Sequence, residues 1–95
     1  MAYTESTLGV GGDSASFEPN GSKFDLIIQG ITSGTVKLQY KLPISAIKDT
    51  PVWTDFPNGT YSADTYTSIE VVSKNVQFRL LGVDNNAGIY IKMVK

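Results

Sequence analysis

The 95-residue chain contains no cysteine and no histidine. The first absence excludes disulfide staples, thiolate nucleophiles and cysteine-based zinc sites. The second removes the commonest general base and the imidazole metal ligand. No Ser-His-Asp or Cys-His triad can be assembled, so carboxylates, lysine and tyrosine are what remains for acid–base work. Charge is also scarce. Only 18% of residues are charged and the net charge is −1, with Lys and Arg scattered rather than gathered into a basic stripe. The electrostatic footprint of a nucleic-acid binder is therefore missing. No apolar run approaches the roughly 20 residues that span a bilayer, so no membrane partner is expected. The opening Met1-Ala2-Tyr3-Thr4-Glu5 has neither a basic n-region nor an apolar h-region. It is not read as a signal peptide, and synthesis in a cytoplasm is expected.

What is present suits a single small core. Hydrophobic residues make up 41% and aromatics 11% of the chain, which is not a disordered composition. A domain of this size holds only about 5–10 kcal/mol of net stability, so association with a partner or with copies of itself would matter.

Residues 1–14 read as a flexible N-terminal arm, because Leu8-Gly9-Val10-Gly11-Gly12-Asp13-Ser14 has three glycines and no period. The arm is either a frayed terminus or a docking segment that uses Tyr3, Leu8 and Val10. Residues 15–95 read as one β domain. Short strands are expected at Ala15 to Glu18, Lys23 to Gln29, Thr35 to Lys41, Val52 to Phe56, Thr67 to Val72, Val76 to Val83 and Ile89 to Val94, with a further short segment at Thr60 to Ala63. Phe24, Leu26 and Ile28 share one face of their strand; Val36, Leu38 and Tyr40 do the same, as do Val76, Phe78 and Leu80, and Ile89, Ile91 and Met93. Turns fall at Pro19-Asn20-Gly21-Ser22, Gly30 to Gly34, Pro57-Asn58-Gly59, Ser73-Lys74-Asn75 and Asp84 to Gly88. Leu42 to Pro51 reads as a long loop, with one helical turn around Ser45 to Lys48. About seven to eight strands at this spacing predict an all-β, antiparallel β-sandwich, Ig-like or jelly-roll-like.

Little in the pattern points to chemistry. Asp13, Asp49, Asp55, Asp64 and Asp84 sit in or near turns, where capping explains them. A glycosidase would need two carboxylates facing each other across a cleft, and nothing singles out a pair. Asp84-Asn85-Asn86 lacks the alternating ligands and terminal glutamate of a calcium loop. Gly9 to Gly12 has no following helix and no Lys-Ser/Thr, so it is no phosphate cradle. No catalytic residue, metal ligand or cofactor is expected. Trp53, Tyr40, Phe78 and Phe24 are assigned to the core. Tyr61, Tyr66 and Tyr90 look outward or lie in loops. Tyrosine is common at protein interfaces, because it buries much area at small entropic cost. With Tyr3, Leu8 and Val10, these three are the interface candidates; incidental exposure is the equal alternative, with stacking on sugars after it, and stacking on single-stranded bases ranks low because no basic residues interleave with them.

Phe17-Glu18-Pro19-Asn20-Gly21-Ser22-Lys23-Phe24-Asp25-Leu26, Gly34-Thr35-Val36-Lys37-Leu38-Gln39-Tyr40, Trp53-Thr54-Asp55-Phe56, Val76-Gln77-Phe78-Arg79-Leu80 and Gly88-Ile89-Tyr90-Ile91 follow one another in an order that resembles the small β-sandwich structural proteins of tailed bacteriophages. These are the capsid decoration or cement proteins and the head-fibre or tail accessory modules. The resemblance spans about residues 15–95. The connection from Leu42 to Pro51 is longer than the short hairpin usual in that group. The resemblance implies a virion protein on the capsid surface, a homo-oligomer, often a trimer, that ties major capsid protein subunits together without chemistry. A tail or fibre module binding carbohydrate or a host receptor is the alternative it implies. No functional residue carries over.

Overall fold

The computed structural model describes residues 3–19, 23–43, 52–71 and 76–95. The expected helical turn at Ser45 to Lys48 and the turns at Asn20-Gly21-Ser22 and Ser73-Lys74-Asn75 lie outside these residues. Among the described residues there are seven strands and no helix: β1 (Tyr3–Leu8), β2 (Lys23–Gln29), β3 (Thr35–Lys41), β4 (Thr54–Tyr61), β5 (Thr65–Glu70), β6 (Gln77–Val83) and β7 (Ile89–Val94). A four-stranded sheet runs β1-β7-β2-β5 and a three-stranded sheet runs β4-β3-β6. Every pairing is antiparallel. The architecture is the expected β-sandwich.

Period-two alternation explains which face is inside. Phe24, Leu26 and Ile28 of β2 and Ile89, Ile91 and Met93 of β7 are buried from one sheet. Val36 and Leu38 of β3 and Phe78 and Leu80 of β6 meet them from the other. Aromatic rings join the layers. Phe24 of β2 lies 4.9 Å from Phe78 of β6, and Phe17 and Phe56 extend the chain at 5.2 Å from Phe24 and 6.1 Å from Phe78. The rings meet tilted or edge-on, the arrangement their quadrupoles favour.

The N-terminal segment departs from the expectation of a flexible arm. Residues 3–8 form β1, an edge strand in register with β7 from Tyr3↔Val94 to Leu8↔Ile89. Its inner face carries Thr4 and Ser6 before Leu8, so hydrophobic alternation is too weak to read, yet the unpaired edge of β7 supplies a full ladder. Leu8, 2% exposed, then plugs the core and is no surface contact. The glycines serve a turn instead of slack. Gly12 N–H bonds Gly9 C=O at 3.0 Å, and Gly11 takes φ +65°. Beyond that turn the chain switches sheets and runs along β6. Gly82 N–H donates to Gly12 C=O at 2.9 Å and Ser14 N–H to Leu80 C=O at 2.8 Å, while Phe17 and Phe78 exchange two bonds of 2.8 Å.

A second departure concerns Pro57-Asn58-Gly59, expected as a turn between strands. It lies inside β4 as a bulge. Thr60 pairs with Lys37 and Asp55 with Gln39, so five steps on β4 match two on β3. An edge strand tolerates this, because proline has no N–H to give the ladder and asparagine accepts the positive φ of 59°.

Candidate interface

The outer face of the four-stranded sheet is built from the residues that alternate with the core. Register places Tyr3, Val94, Asp25 and Ser68 on one row across β1, β7, β2 and β5. The next row is Glu5, Lys92, Ile27 and Tyr66, followed by Thr7, Tyr90 and Gln29. Tyr66, Ile27, Val94 and Tyr3 thus form a diagonal apolar stripe that crosses all four strands. Its ends are the most open, with Tyr66 74% and Tyr3 60% exposed, and Ile27 and Val94 are half-buried between them.

Polar groups frame the stripe. Lys92 Nζ sits 5.7 Å from the centre of the Tyr3 ring, a cation–π distance. The Tyr90 hydroxyl donates to Glu5, and Ser68 Oγ donates to Asp25 at 2.9 Å. The hydrogen bond to Glu5 raises the Tyr90 phenol above its ordinary value, followed by burial and then the Glu5 charge. A phenol pKa raised by folding stabilises the fold below the unfolded value of about 10 and loses that contribution as pH climbs through the folded one. In an alkaline titration followed by phenolate absorbance, Tyr90 should ionise late in the wild-type chain and earlier in Glu5→Ala, which removes the acceptor. Coincident curves would count against the contact.

The six candidates from the sequence do not form one site. Tyr3, Tyr66 and Tyr90 share the outer face of the four-stranded sheet. Val10, 71% exposed, stands apart on the glycine turn past the far end of β1. Leu8 is core. Tyr61 pairs with the buried Val36, so it points inward and packs on the core, and burial raises its pKa. Ile27 and Val94 were missed, although the signal was there. Each is an apolar residue in the polar phase of its strand, alongside Asp25 and Gln29 in one case and Tyr90 and Lys92 in the other.

The outer face of the three-stranded sheet is of another kind. Arg79 Nε donates to Gln39 Oε1 at 2.9 Å, Gln39 Nε2 donates to Asp55 Oδ1 at 2.9 Å, and Lys37 Nζ reaches Asp55 Oδ2 at 3.3 Å. Arg79 also holds Asp13 at 3.1 Å. Trp53, assigned to the core from sequence, instead lies on this face, its ring centre 4.6 Å from the Arg79 guanidinium and 4.9 Å from Lys41 Nζ. The inner position beside it on β4 is filled by Phe56, and two outward cations on neighbouring strands offer the indole its partners. Gln39 and Lys37 hold the Asp55 carboxyl below its usual range, by hydrogen bonds before charge. The network joins the sheet-switching segment, through Asp13, to the β4 bulge, through Asp55. Its polar groups bond one another, leaving an internally satisfied clamp.

The loops at one end of the sandwich behave similarly. Asn85, 3% exposed, accepts from Gly11 N–H at 2.8 Å and donates to Gly9 C=O at 3.0 Å. Asn86 Oδ1 accepts from Thr32 and Ser33 N–H, and Asp64 Oδ1 from Gly30 and Ile31 N–H. The side-chain oxygens of Asn85 and Asn86 are thus turned onto backbone amides. Among the described residues no three His, Cys, Asp or Glu side chains gather as a metal cluster. No protein-family profile, curated protein or solved structure matches this chain.

Proposed function

We propose that the chain is a non-catalytic, protein-binding β-sandwich of a bacteriophage virion, a capsid decoration or cement protein that docks on the major capsid protein lattice. The observation that carries the binding role is the Tyr66–Ile27–Val94–Tyr3 stripe on the outer face of the four-stranded sheet. Apolar and tyrosine area framed by isolated charges is the make-up of an interface centre with a polar rim. The virion assignment rests on the resemblance of the sequence segments between residues 15 and 95 to those of phage β-sandwich structural proteins.

The test is co-sedimentation of the purified chain with expanded empty heads assembled from the capsid protein of its own genome. Saturable binding is expected. Ile27→Lys would place an ammonium in the middle of the stripe and should weaken binding at least about thirtyfold, a loss of about 2 kcal/mol typical of a central contact. Thr60→Lys, on the other sheet, should leave binding unchanged. A wild-type chain that stays in the supernatant would overturn the proposal, and binding insensitive to Ile27→Lys would overturn the stripe as its site.

A further inference from the structure

Among the described residues the two sheets have four outer strands, and three of them carry a feature that discourages pairing. β6 is covered by the sheet-switching segment through the bonds at Gly12, Ser14 and Phe17. β1 meets the same segment only through the Thr4 hydroxyl, 3.4 Å from Ser16 C=O, but carries a charge, Glu5, in mid-strand. β4 carries Pro57 and its bulge. β5, Thr65-Tyr66-Thr67-Ser68-Ile69-Glu70, has none of these devices. It contains no proline, no glycine and no bulge, and its one charge stands at its last position. Its residues are mainly β-branched or aromatic, the composition that pairs most readily. Among the described residues no backbone group outside β2 bonds to it.

We infer that the outer edge of β5 pairs antiparallel with β5 of a second copy about a two-fold axis perpendicular to the sheet, joining the two four-stranded sheets into one. The side chains favour a second copy over an arbitrary strand. Tyr66, Ser68 and Glu70 share the outer face, in register with Ile27, Asp25 and Lys23. A two-fold centred on Ser68 sets Tyr66 opposite Glu70 of the second copy, and does so twice. Tyrosine and glutamate already bond across neighbouring strands in this chain, Tyr90 to Glu5, there as diagonal rather than directly opposite neighbours. The two Glu70 carboxylates fall at opposite ends of the new ladder, about 13 Å apart at a rise of about 3.4 Å per residue. Thr67 meets Ile69 on the inner side. The axis leaves both outer faces on the same side of the joined sheet, with the two Tyr66 side chains, like the two Glu70, about 13 Å apart along the ladder. This assembly is independent of the virion reading, and a two-fold pair replaces the trimer that the resemblance implies.

Sedimentation equilibrium of the full chain, from micromolar to near-millimolar concentration, should show the mass rising from one chain to two. Over the same series, hydrogen exchange in residues 65–70 should slow with concentration, while β1 and β4 do not change. Ser68→Lys brings two ammonium groups together at the axis and should weaken the dimer at least about tenfold. Within one chain the new lysine faces Asp25, which keeps the monomer folded. Tyr66→Phe should weaken the dimer several-fold through two lost hydrogen bonds. A chain monomeric throughout, a trimer as the associated species, a dimer indifferent to Ser68→Lys, or concentration-dependent protection elsewhere than β5 would each overturn the inference. The exchange measurement decides on the wild-type chain, whatever the variants do.

Discussion

Truncating Phe78 to alanine should destabilise the chain by about 3–5 kcal/mol, enough to consume most of the stability of so small a domain. Phe78 is 2% exposed on the inner face of β6 and is the ring through which the two sheets touch. It packs on Phe24 from the four-stranded sheet and on Phe56 from the β4 bulge. Removing it leaves a cavity between layers that are each pinned by their own ladders, so collapse can fill it only in part. Phe78→Leu, which keeps much of the volume, should lose well under half as much. Chemical denaturation read by far-UV circular dichroism checks both. Equal losses for leucine and alanine would mean that the core does not converge on this ring.

Gly34→Ala should destabilise the chain by about 3 kcal/mol or more. Gly34 closes the β2–β3 turn at φ +68°, and a Cβ there would stand 2.2 Å from the carbonyl oxygen of Asp84. The left-handed backbone alone costs an alanine about 1 kcal/mol. The rest comes from backbone meeting backbone, which no rotamer change relieves. Asp84 cannot step aside, because Asn85 and Asn86 anchor its loop to the glycine turn and to residues 30–33. Gly88→Ala is the matched control: it has a similar positive φ of +81° and open space around its Cβ. It should cost only the backbone share. Thermal unfolding of the two variants separates strain from clash. Equal shifts would show that the contact with Asp84 contributes nothing.

The interior was legible from sequence wherever alternation was strong. Phe24, Leu26 and Ile28, Val36 and Leu38, Val76, Phe78 and Leu80, and Ile89, Ile91 and Met93 are all buried as their period requires. Alternation failed for β1, whose inner face is mostly small and polar, and at Pro57-Asn58-Gly59. There, local turn chemistry was read correctly, but the ladder on both sides absorbed it as a bulge. Side-chain phase was legible for Tyr90, while Tyr66 fell just before the strand read at Thr67 to Val72 and joins it only in the structure. Phase misled for Tyr61, because the bulge in β4 resets which residues face inward, and for Trp53, which two outward cations hold on the surface.

The sequence by itself determined that this is an all-β chain without cysteine or histidine chemistry, and which face of each strong strand lies inside. Those properties are local, set by residue type and a period of two. The tertiary structure alone decided that the glycine-rich segment switches sheets, that Trp53 lies between cations on the surface, and that Tyr3, Val94, Ile27 and Tyr66 align across four strands. Each of these depends on which strands become neighbours, and on their register. Strand order is fixed by contacts between residues far apart in the chain, and no window along the sequence contains them.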